Sequence, residues 1–106
     1  MAASATIEVL GEPRRRQILD ALRGGEQPVQ VLARQVGLSQ PAVSKHLRIL
    51  RDAGLVEVRA DAQRRLYRVR PGPLQAIDQW LEPYRRMWAG SLAALERHLD
   101  VMEDTE

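Results

Sequence analysis

A mainly α-helical fold with a small β-hairpin is predicted by three features of the chain. Apolar residues recur at threes and fours over most of its length. Glycine or proline opens or closes each of those runs. Period-two alternation is confined to one region, around Val56–Arg59 and Leu66–Arg70. The 106 residues fit one small domain. A domain of this size buries a modest core, so a partner subunit is expected to help cover its apolar surface.

The elements follow in order. Met1–Thr6 is small and polar and is expected to fray. Ile7, Val9 and Leu10 form a short apolar stretch that stops at Gly11. Glu12-Pro13 opens a helix, with proline in the first turn, where its missing N–H costs nothing. Ile18, Leu19 and Leu22 follow at helical spacing, and Gly24-Gly25 ends the run. Arg14, Arg15 and Arg16 stand near that helix start, against the preference of the macrodipole. A phosphate or an acid on a partner would account for them. Gln27-Pro28 starts the next helix, with Val31, Leu32 and Val36 apolar and Gly37 as its stop. Helix, glycine-containing turn and helix make the helix-turn-helix arrangement.

The second helix of that pair is the segment LSQPAVSKHLRIL, Leu38–Leu50. Ser39 is a good N-cap, and Pro41 falls in the first turn, where it is tolerated. Leu38 before the cap and Val43 at the fourth helical position form a hydrophobic staple. At about 100° per residue, Val43, Leu47 and Leu50 share one face. Gln40, Ser44, Lys45, Arg48 and Arg51 lie opposite. The N-terminal half of that polar face suits base edges and its C-terminal half suits phosphates. His46 falls on the apolar edge, as a packing or capping residue.

Gly54 closes the helix, and Val56 and Val58 alternate with Glu57 and Arg59 as a strand. In the second alternating run Tyr67 and Val69 face in, while Arg68 and Arg70 face out. The connection lacks Asn-Gly or Asp-Gly, so a four- or five-residue loop is expected instead of a tight primed turn. A basic hairpin after a helix-turn-helix is a wing. Arg59, Arg64 and Arg65 sit near its tip, where they could follow a minor groove or a phosphate backbone. After the break at RPGPL, the pattern is helical from Pro73 to about Met102. Leu74, Ile77, Leu81, Tyr84, Trp88, Leu92, Leu95, Leu99 and Met102 are spaced by threes and fours. Pro83 inside the run predicts a kink or a new helix start. Such a helix overhangs a small domain, and its stripe should bury against another subunit.

Net charge is only +2, but it is unevenly placed. From Arg34 to Arg70, nine basic residues meet three acids; from Pro71 to Glu106, three basic residues meet seven. The middle of the chain suits a polyanion and the tail faces elsewhere. All the cations but Lys45 are arginine, the better fork for phosphate and guanine edges, although GC-rich codon usage gives the same bias. The absence of cysteine excludes disulfides and thiolate metal sites, and fits the cytosol. No 18-residue apolar run exists, so no membrane span is expected. Met1–Leu10 lacks the pattern of a secretory signal. With no glycine-rich phosphate loop and no paired carboxylates beside a histidine, an enzyme is not expected.

The stretch LGEPRRRQILDAL … LARQVGLSQPAVSKHLRILRDAGLVEVRADAQRRLYRV resembles the ArsR family of bacterial winged helix-turn-helix repressors. The likeness runs from about Val9 to Val69, is most specific in LSQPAVSKHLRILRDAGLV, and weakens through the last helix. It implies a homodimer built on the first and last helices and bound to an inverted-repeat operator in double-stranded DNA. It implies DNA contacts at Gln40, Ser44 and Lys45, helped by wing arginines; Arg48, Arg59, Arg64 and Arg65 complete the expected set. The expected dimer face comprises Leu10, Leu81, Tyr84, Trp88, Leu92, Leu95 and Leu99. Residues 1–72 are expected to form the DNA-binding core and 73–106 a helical dimerisation segment of the same domain. Metal-sensing members of the family need cysteines, or paired acids and histidines on the last helix. Here His46 and His98 are the only histidines, and neither His98 nor its neighbours Asp100 and Glu103 complete a ligand set. The expectation is a cytoplasmic regulator of the non-metal-sensing type, with no cofactor. The alternative is an effector-responsive sensor with a hydrophobic ligand or a metal on the last helix. Trp80, Tyr84, Met87 and Trp88 suit a hydrophobic small-molecule effector, and suit a dimer core better.

Overall fold

Leucine and valine at helical spacing on three short helices converge on one cluster, and the other elements are arranged around it. The structure is a computed structural model that describes residues 2–104, with side chains described for residues 3–99. The order is α1 (Ala2–Leu10), α2 (Pro13–Ala21), β1 (Gln27–Pro28), α3 (Val29–Val36), α4 (Gln40–Asp52), β2 (Val56–Asp61), β3 (Arg64–Val69) and α5 (Gly72–Asp104). Ile18, Leu19 and Leu22 meet Leu32 and Ala33 of α3 and Val43, Leu47 and Leu50 of α4, with Leu55 and Val56 closing the cluster. Fully burying a side chain of this kind contributes about 1.5–3 kcal/mol.

Local signals set the helix ends. The Glu12 carboxylate accepts from the backbone N–H of Arg14 at 3.0 Å, ahead of Pro13 in the first turn of α2. That bond is the main cause holding the Glu12 carboxyl below its ordinary value. Gly37 takes the left-handed conformation (φ 71°) that ends α3. Ser39 caps α4, its Oγ accepting from the N–H of Ala42 at 3.3 Å. Leu38 packs on the cluster that holds the buried Val43, as a staple requires.

Several expectations need correction. The first residues do not fray: α1 begins at Ala2 and lies along α5, with Thr6 buried. Alanines at 2, 3 and 5 favour the helix, and packing on α5 holds it. Met1 lies outside the described residues. The arginines at the start of α2 also have a local role. Arg15 Nε donates to the Val9 carbonyl and the Arg16 guanidinium to the Leu10 carbonyl, each at 2.6 Å. They satisfy carbonyls that the end of α1 leaves without helical partners.

Gln27-Pro28 leads straight into α3, with Pro28 as its N-cap, but the pair has a second role that the spacing does not show. It forms a two-residue strand, pairing Gln27 with Tyr67 and Pro28 with Leu66, so the hairpin is part of a three-stranded antiparallel sheet ordered β1-β3-β2. Proline is tolerated there because β1 is an edge strand. The hairpin loop is tighter than expected. Pairing continues to Asp61 and Arg64, leaving Ala62-Gln63 as a two-residue connection. Ala62 has φ 56° and Gln63 no positive φ, the pattern of a primed II′ turn made without glycine.

The helix does not restart at Pro83. α5 runs through it for 33 residues, about 50 Å at 1.5 Å per residue, along a molecule 67 Å long. Arg85 reaches back to Asp78 and to Glu82, at 2.6 Å each, tying the turns on either side of the proline. Exposed pairs of this kind offset only part of the roughly 3 kcal/mol that an interior proline costs.

Candidate nucleic-acid interface

The apolar side of α4 is consumed by the core, which fixes what its other side presents. Gln40, Ser44, Lys45, Arg48 and Arg51 are all exposed on that outer face. His46 sits between the faces, partly buried, and its Nδ1 has no hydrogen-bond partner among the described residues. The three residues Gly37, Leu38 and Ser39 form the turn that joins α3 to α4.

The register of the wing decides where its arginines go. Val56 pairs with Val69, Val58 with Tyr67 and Ala60 with Arg65. Tyr67 and Val69 pack on the core cluster, as expected from the alternation. Arg65 shares their side of the sheet, and it lines a concavity of about 330 Å³ with Ser44, Arg48, Arg51, Asp52 and Tyr67. Glu57 with Arg68, Arg59 with Leu66, and Asp61 with Arg64 occupy the opposite side. Leu66 is buried there, outside the main cluster.

Acids occupy that second side. Arg59 grips both oxygens of Glu26, Nε to Oε2 at 2.9 Å and a terminal nitrogen to Oε1 at 2.5 Å. These bonds push the Arg59 guanidinium up and hold the Glu26 carboxyl below its ordinary value. Arg64 pairs with Asp61 at 3.3 Å, and Glu57 takes Arg68 closely and Arg70 at 3.7 Å. Lys45, Arg48, Arg51 and Arg65 form no ion pair among the described residues.

The structure thus brings Gln40, Ser44, Lys45, Arg48 and Arg65 to one side and leaves Arg59 and Arg64 on the other, already engaged. Two residues absent from the expected contact set join the first group: Arg51 and Tyr67. Arg51 stands seven residues after Ser44, on the same helical face, which the spacing shows. Tyr67 was legible only as an inward residue.

Of the expected dimer face, Leu10 and Leu81 are partly buried. Tyr84, Trp88, Leu92, Leu95 and Leu99 are exposed by 45–57% on one stripe of α5. Trp80 stands one turn before Tyr84, their ring centroids 5.1 Å apart. Among the described residues, no group of three His, Cys, Asp or Glu side chains is placed to hold a metal ion. His98 is exposed, and the side chains of Asp100, Met102 and Glu103 lie outside the described residues. No helix among the described residues is long and apolar enough to cross a membrane.

The family model described as bacterial regulatory protein, arsR family, matches residues 12–58. The HTH-type transcriptional regulator Rv2034 of Mycobacterium tuberculosis is 36% identical over 93 residues, 88% of this chain and 84% of that protein. The transcriptional repressor SdpR of Bacillus subtilis is 31% identical over 74 residues, 70% of this chain and 82% of that protein. The solution structure of the homodimeric winged helix-turn-helix DNA-binding domain Mb0332 from Mycobacterium bovis superposes with a TM-score of 0.66 at 31% identity, covering 79% of this chain and 81% of that one. A helix-turn-helix with an exposed cationic face, a wing behind it and these relatives lead to one conclusion: the chain belongs to the ArsR family of bacterial transcriptional regulators, with a DNA-binding winged helix-turn-helix.

Proposed function

We propose that this regulator is a homodimeric, sequence-specific repressor of the cytoplasm that binds an inverted-repeat operator in double-stranded DNA. The observation that carries the proposal is the outer face of α4, where polar and cationic side chains stand exposed with no acid among the described residues engaging the cations. Gln40, Ser44 and Lys45 read base edges in the major groove, while Arg48 and Arg65 hold phosphates. Arg59 and Arg64 contribute less, because each must first leave a carboxylate. Residues 1–72 supply the reading head and 73–106 the clasp. Two chains join through Leu10 and the α5 stripe of Leu81, Tyr84, Trp88, Leu92, Leu95 and Leu99, setting two α4 helices into successive major grooves roughly 34 Å apart. The homodimeric relative from M. bovis and the repressor from B. subtilis support these two assignments. The non-metal-sensing reading rests on the absence of cysteine, and calorimetry with Zn²⁺ should find no tight binding.

Selection of bound duplex from a random pool tests the proposal, and a palindrome is expected. Affinity for that palindrome should fall log-linearly with salt. Lys45→Ala should weaken binding by about 1–3 kcal/mol, the range of a good base contact. Equal affinity for the selected and random duplexes, or sedimentation as a single chain at micromolar concentration, would overturn it.

A further inference from the structure

Three arginines converge on the cleft between α4 and β3, and none of them has a carboxylate partner among the described residues. Arg48 and Arg51 come from the last two turns of α4 and Arg65 from β3, and they share the lining of one concavity. Asp52 is the single acid in that lining, against three guanidinium groups. The contrast with the other side of the sheet is internal to the molecule. Arg59, Arg64, Arg68 and Arg70 are each matched to a carboxylate there. Like charges brought into one cleft repel unless an anion joins them. Guanidinium groups favour an oxyanion with several acceptor oxygens. Ser44 and Tyr67 add hydroxyl-bearing side chains to the same wall. Ala60, paired opposite Arg65, puts no bulk beside it.

We infer that this cleft seats one backbone phosphodiester of the bound duplex, gripped from two elements by Arg51 of the helix and Arg65 of the wing. The inference rests on the DNA-binding reading above and adds a named socket to it. Arg51 lies eleven residues beyond Gln40, about 16 Å along the helix axis, so it does not reach the bases that Gln40 meets. The socket fixes the angle between head and duplex and carries no sequence information. Because one phosphate is shared, removing either arginine costs most of what removing both costs.

The test uses the full chain, its pool-selected operator and a random duplex of equal length, titrated with salt. Arg51→Ala and Arg65→Ala should each lower affinity about tenfold or more for both duplexes, the loss of a charge-assisted hydrogen bond. The operator-to-random ratio should be unchanged. Each variant should reduce the salt slope by about one, and the double variant should also lose about one, not two. Arg97→Ala, an exposed residue of α5 outside the cleft, controls for net charge and should change neither quantity. Circular dichroism melts should match the parent. A methylphosphonate at the seated position should reproduce the loss in the parent and have no effect in the double variant. If the parent binds its operator while both single variants keep its affinity and slope, the socket is wrong and the DNA-binding reading stands. A fall in the operator-to-random ratio would place Arg51 at a base edge and also overturn the socket. If the parent binds no duplex, both readings fall together.

Discussion

The head and the tail of this molecule use the same sequence device and reach opposite results. In α2, α3 and α4, leucines and valines at threes and fours are buried together in one cluster. In α5 the same spacing carries Tyr84, Trp88, Leu92, Leu95 and Leu99, and each stays about half exposed within the single chain. Periodicity therefore specifies a face and does not specify what covers it. A helix about 50 Å long cannot be covered by a head whose core uses only its first turns, where Leu74 packs.

The sharpest way to break that contrast is to cut into each side. Leu47→Ala empties a fully buried site and should cost about 2–5 kcal/mol, seen as a lowered thermal midpoint with DNA binding lost only through unfolding. Trp88→Asp should leave the head's melting cooperative but abolish self-association at micromolar concentration in the ultracentrifuge. A central aromatic anchor of this kind is worth about 2–4 kcal/mol. Equal damage to the head from both substitutions would erase the distinction. Ser39→Ala removes the cap of α4 and should cost about 1 kcal/mol, with a matching small loss of midpoint.

The smallest expected effect is in pH. Glu26 is held below its ordinary value, chiefly by its bonds to Arg59. Its contribution is intact above that ordinary value and fades as pH falls through the lowered one. Glu26→Gln should therefore lie slightly below the parent in stability near neutrality and converge with it in acid. Melts across that range would show this, and a gap that widens on acidification would reject it.

Much of the head was legible because its signals are local. Ser39, Pro41, the staple of Leu38 with Val43, and Gly54 all act within a few residues of α4, and they delimit it. Whatever depended on distant partners was hidden. The strand of Gln27-Pro28 exists because Leu66 and Tyr67 lie beside it, nearly forty residues later. α1 depends on α5 and on guanidinium groups six residues downstream. The wing arginines looked alike in sequence, yet a strand's two-residue period sends Arg65 toward α4 and Arg64 away from it. The acids that occupy Arg59 and Arg68 could not be matched to them without that register. The tight loop was missed because Ala62 adopts a conformation usually left to glycine or asparagine.

The bonds from Arg15 and Arg16 to the carbonyls of Val9 and Leu10 stitch the helix that rides on the tail to the first turn of the head. In the proposed dimer, twisting the two tails against each other would drag that seam and tilt both heads with it. In such a pair the pitch of the two ridges would be set at this joint, with neither ridge nor clasp changing shape.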